Sequence, residues 1–137
     1  MLDKIHEQLN GRKVEAVKHI DSDITLVFED CRLWVSTPWR LEKDGEVIVG
    51  SGNLVEALSH EDYQADYEDY LELAQSHILD ATISLQFSDY CELIIPLSTG
   101  YTFRTFQDYG DDAENFQFYT DRGRYLVYPN KVDFEES

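Results

Sequence analysis

Apolar and polar positions alternate in short runs along most of the chain. Between Ile20 and Asp30, the side chains Ile24, Leu26 and Phe28 alternate with Thr25, Val27 and Glu29, the period-2 pattern of a strand with one buried face. The same pattern returns between Leu79 and Asp89. At a constant offset of 59 residues, Asp21/Asp80, Ile24/Ile83, Leu26/Leu85, Phe28/Phe87 and Asp30/Asp89 are identical, and Thr25/Ser84 is conservative. The second copy then gains Tyr90, after which Cys31/Cys91, Leu33/Leu93 and Val35/Ile95 fall into line. This reads as an internal duplication. Asp30 and Asp89 stand where a hairpin must turn, and Tyr90 predicts a second turn one residue longer, with room for a bulge.

A looser match follows. Arg40 to Val49 resembles Phe118 to Val127, with Asp44-Gly45 as a two-residue hairpin turn and Asp121-Arg122-Gly123 supplying the glycine of a different one. Each half is then about four strands, over roughly residues 12–50 and 71–128.

Two segments carry helical spacing. Leu2, Ile5, His6 and Leu9 share one face, and Asn10-Gly11 ends that run with a C-cap signal. Between the halves, Asn53 can cap a short helix bearing Leu54, Ala57 and Leu58. Beyond it, Tyr63, Tyr67 and Tyr70 line one helical face among Glu61, Asp62, Asp66, Glu68 and Asp69, with no basic residue from Glu61 to Tyr70. The expected fold is α+β and mainly antiparallel: one domain of two quasi-repeated halves, a short N-terminal helix, and an acidic linker helix over about residues 53–70.

Composition bears this out as a folding chain and then adds charge. The 137 residues are 42% hydrophobic and 13% aromatic, enough for a core in one domain. Acidic residues number 28 against 11 basic, a net charge of −17. That field repels phosphate backbones and anionic bilayers, so nucleic acid and membrane are not expected as partners. It attracts a basic surface and speeds encounter with it. The start, Met1 to Glu7, lacks the basic flank and apolar run of a signal peptide, and two cysteines are too few for a disulfide scaffold, so the cytoplasm is the expected compartment.

Motifs for chemistry are missing. His6, His19, His60 and His77 make no zinc spacing, and His60-Glu61-Asp62 reads as an acidic surface cluster. The loop Asp108 to Asn115 gathers carboxylates but not the order of a calcium loop. Cys31 and Cys91 read as small buried hydrophobes, with Asp30 and Glu92 disfavouring a thiolate. No G-x-S-x-G occurs, and Gly50-Ser51-Gly52 lacks the lysine of a phosphate loop. No enzyme, metal or cofactor is expected.

Ser36-Thr37-Pro38-Trp39-Arg40-Leu41, the following Asp44 to Ser51, Ile83 to Phe87, and Gly123 to Val127 together resemble a family of small bacterial proteins. Its members have two β-rich halves, each built around an LxLxF-D hairpin, and some look like immunity proteins of polymorphic toxin or contact-dependent inhibition systems. The resemblance implies the fold and carries over no functional residues. The function expected from charge and resemblance is that of an acidic immunity protein occluding a basic toxin domain, with a nuclease as the expected target. The alternative is a non-enzymatic structural or small-ligand-binding β domain that uses the seam between its halves. The residues expected to meet the partner are those the halves do not share: Tyr63, Asp66, Tyr67, Asp69 and Tyr70 of the linker, and Asp108, Asp111, Asp112 and Glu114 of the loop from Gln107 to Asn115.

Overall fold

Among the described residues, the chain forms eleven strands in two antiparallel sheets. A computed structural model describes residues 1–60, 64–107 and 113–137. In chain order the elements are α1 (Leu2–Leu9), β1 (Ala16–Ile20), β2 (Asp23–Val27), β3 (Arg32–Val35), β4 (Trp39–Lys43), β5 (Glu46–Gly50), α2 (Ser51–Leu58), α3 (Gln64–Ile78), β6 (Gln86–Phe87), β7 (Leu93–Pro96), β8 (Thr102–Thr105), β9 (Phe116–Thr120), β10 (Gly123–Val127) and β11 (Val132–Glu136). The larger sheet runs β1-β2-β3-β9-β10-β11 and the smaller β5-β4-β8-β7-β6. The fold is thus α+β and mostly antiparallel.

The halves are intertwined rather than side by side. The first contributes β1–β3 to the larger sheet and the hairpin β4–β5 to the smaller; the second contributes β6–β8 to the smaller and β9–β11 to the larger. One junction in each sheet joins the two: β3 with β9, where Leu33 faces Phe118, and β4 with β8, where Leu41 faces Phe103. Among the described residues each part also holds more than four strands, five before the linker and six after it. The matched cores Ile24/Leu26/Phe28 and Ile83/Leu85 are all buried, in one cluster with residues from both sheets, whereas Phe87 is partly buried against it.

The shared turn residues have a backbone reason. Asp21 and Asp80 both take positive φ, 54° and 65°, a conformation aspartate tolerates better than most residues. Asp44 and Gly45 both have positive φ, as the mirror-image two-residue turn requires. The two copies diverge at the next turn. Phe28 N–H bonds Cys31 O across Glu29-Asp30, whereas Ser88 N–H bonds Glu92 O across Asp89-Tyr90-Cys91, with Cys91 at φ 60°. Tyr90 therefore lengthens the turn, and Cys91 lies inside it, whereas Cys31 closes its turn just before β3.

Helices close the sides of the sandwich. Ile5 and Leu9 of α1 are fully buried. Asn10 follows, its Oδ1 accepting from Leu85 N–H at 2.7 Å. The linker differs from expectation in its bounds. Asn53 is not the cap but the third residue of α2, where its Oδ1 accepts from Gly50 N–H at 2.9 Å. The next helix, α3, runs on to Ile78, into the stretch expected to open the second half. It is anchored to both ends of β1: Tyr67 Oη donates to Asp21 O at 2.6 Å, and Asp80 N–H donates to Val14 O. Leu71, Ala74 and Ile78, at helical spacing, face the core.

Gly123, in the second hairpin, is required by close packing. Its φ is +152°, and a Cβ there would stand 2.1 Å from Glu135 O. Gly123→Ala is expected to lower stability by about 3 kcal/mol, read from urea unfolding. Gly52, in α2 with open space around it, serves as the control: Gly52→Ala should be neutral or stabilising by up to about 1 kcal/mol.

Candidate functional site

The acidic linker is built as a two-helix surface. Ser51 starts α2 by accepting Trp39 N–H on its Oγ at 3.0 Å, tying the helix to β4. Leu54 and Ala57 turn inward, while Glu56 and Val55 face solvent. On α3 the rings of Tyr67 and Tyr70 are half-buried against the core, and Asp66, Glu68, Asp69 and Glu72 are exposed. From Ser51 to Asp80 the chain has no Lys or Arg. Among the described residues the ion pairs occupy Asp30, Asp80, Glu42, Glu135 and Asp133, so Glu56, Asp66, Glu68, Asp69 and Glu72 have no cation partner there. The surface is an uncompensated anionic ridge.

The expected contact residues separate accordingly. Asp66 and Asp69 lie on the ridge. Tyr67 and Tyr70 pack inward beneath it, where they fix the helix to the sandwich. Glu114 is half-buried and accepts from Gln117 Nε2 at 3.3 Å. Tyr63, Asp108, Asp111 and Asp112 lie outside the described residues, as do Glu61 and Asp62. The described residues beside these stretches are tied into the sheets. Tyr67 holds the β1–β2 turn at Asp21, and Trp39 Nε1 donates to Ser22 O at 2.9 Å in that turn. Thr37 Oγ1 donates to Asn115 O at 2.9 Å, and Asn115 Nδ2 to Tyr90 O at 2.8 Å. Glu56 and Glu72 extend the ridge beyond the residues expected from sequence; the run without Lys or Arg was the signal for them.

A second surface was not foreseen. On the outer face of the larger sheet, the register aligns Val27, Arg32, Tyr119, Arg124 and Glu135 in one row, and Lys18, Thr25, Trp34, Gln117 and Leu126 in the next. Arg124 is held by Glu135 at 2.7 Å, and Tyr119 Oη donates to Gln117 Oε1 at 2.6 Å. The Arg32 guanidinium lies 4.4 Å from the Tyr119 ring centre. A cleft of about 470 Å³ opens here, crossing the β3–β9 junction of the two halves.

Neither thiol is activated as a nucleophile. Burial pushes the Cys31 thiol up to about 11, and burial also raises that of Cys91, so both stay protonated near neutrality. Among the described residues, no group of three or more His, Cys, Asp or Glu is placed to hold a metal ion. His19 lies beside Trp39, ring centres 6.4 Å apart, with its two ring nitrogens buried. Burial lowers its pKa below the ordinary 6.5. As pH falls through about 6.5 the unfolded chain takes up a proton that the folded chain refuses, so His19 costs stability on the acid side. Comparing His19→Phe with wild type by thermal unfolding, we expect a flat difference above pH 7 and a growing relative loss in wild type from pH 6.5 down to about 5.5.

Comparison with protein-family models, with curated proteins and with solved structures finds no match to this chain.

Proposed function

We propose that this chain is an immunity protein: it captures a basic toxin domain on the α2–α3 ridge and occludes that domain's working surface. The observation that carries the reading is the ridge itself, with Glu56, Asp66, Glu68, Asp69 and Glu72 exposed on a segment devoid of Lys and Arg. Acidity serving solubility alone is best spread among opposite charges. Here like charges stand at helical neighbour spacing, Asp66 with Asp69 and Glu68 with Glu72, each pair costing roughly 0.2–0.5 kcal/mol. A basic partner relieves that repulsion on binding. The inward tyrosines support the same role, since they hold the ridge rigid and lower the entropy lost on association.

The chain acts by binding, with no cofactor, and in the cytoplasm, the compartment in which its two cysteines stay free. No described helix is long and apolar enough to cross a membrane. The test is co-expression with the protein domain encoded by the neighbouring open reading frame. Growth restored by the chain, and by no unrelated acidic protein, supports the reading. A harmless neighbouring domain, or toxicity the chain leaves untouched, overturns it.

A further inference from the structure

We propose that the cleft over the β3–β9 junction is a binding site for a small aromatic monocarboxylate. Its volume of about 470 Å³ lies in the range of small-ligand pockets, roughly 300–1,000 Å³. Lys18, Asp23, Thr25, Arg32, Trp34 and Tyr119 converge on it from four strands. Trp34 and Tyr119 are both half-buried, so each offers ring surface to a planar group while remaining anchored in the sheet.

Charge selects the ligand class. Besides Lys4, Lys43 and Arg122, the cations without an ion-pair partner among the described residues are Lys18 and Arg32. Both line this cleft. Arg32 is steadied over the Tyr119 ring, which leaves its N–H donors for a planar, bidentate acceptor. Asp23 brings one negative charge to the same cleft. A dianion would meet that charge as well as the field of the whole chain, whereas a monoanion is balanced by the two cations. Burial raises the Asp23 pKa, as expected for a carboxyl held in a partly desolvated wall. The site uses both halves of the duplication, which neither could form alone.

The test is an NMR titration with benzoate, using its neutral isostere benzamide as control. Two tryptophans give an internal reference, because the Trp39 indole N–H is buried and bonded to Ser22 O. The Trp34 indole resonance should shift saturably with benzoate, at half-saturation of about 0.1–1 mM, while that of Trp39 stays still. Arg32→Gln should weaken the response at least about tenfold, and Lys18→Gln, at an exposed position, should weaken it in a fold that is not at risk. Benzamide binding as well as benzoate, no shift at Trp34, or full binding by both variants would overturn the proposal.

Discussion

Phe118→Ala is expected to cost about 3–5 kcal/mol, a large share of the roughly 5–15 kcal/mol that holds a domain together. The ring is fully buried, faces Leu33 across the β3–β9 junction, and stacks on Tyr125 with centroids 6.0 Å apart. The intertwined halves determine how that loss is felt. Releasing either half breaks a junction in both sheets, β3–β9 in one and β4–β8 in the other. The variant should therefore unfold in one transition at lower urea, with far-UV dichroism and tryptophan emission coinciding. Both tryptophans belong to the first half, so a half that melted separately would show as two midpoints. Phe118→Leu, which keeps most of the volume, should lose less than half as much.

The second large effect concerns binding. Replacing Glu56, Asp66, Glu68, Asp69 and Glu72 by their amides removes five charges from one exposed surface without touching the core. Electrostatic steering raises association rates by about 10–10³-fold, so the amide variant should associate with the basic partner at least about tenfold more slowly at low salt. Dissociation should change less. Raising ionic strength to about 1 M, where the screening length is about 3 Å, should bring the two association rates together. The variant should fold at least as stably as wild type, because the like-charge helix neighbours no longer repel.

How much of this was legible beforehand follows from what each pattern can encode. Period-2 alternation reported which face of Ile24-Leu26-Phe28 is buried, and Asp44-Gly45 reported its turn. Neither reports which strand lies alongside. Thr37 and Asn115 are far apart in sequence and hydrogen-bonded in the fold, and nothing local announces that pairing. The exchange of hairpins between sheets was hidden for that reason. So was the seam cleft: Trp34 and Tyr119 sit at outward positions of their own strands, and only the β3–β9 register makes them neighbours. The ridge was partly readable, because absence of Lys and Arg is a property of the sequence itself. The spacing of Tyr67 and Tyr70 was read correctly as one helical face, while Tyr63 lies outside the described residues. Which way that face turns depended on Leu71, Ala74 and Ile78, residues assigned to the second half rather than to the helix.

The most direct measurement is hydrogen exchange of the chain alone and in complex with a toxin domain that it neutralises on co-expression. Added protection is predicted over Ser51–Leu58 and Gln64–Ile78, with the outer face of the larger sheet exchanging as in the free protein. Protection confined to β1–β3 and β9–β11, with α2 and α3 unchanged, would contradict the account.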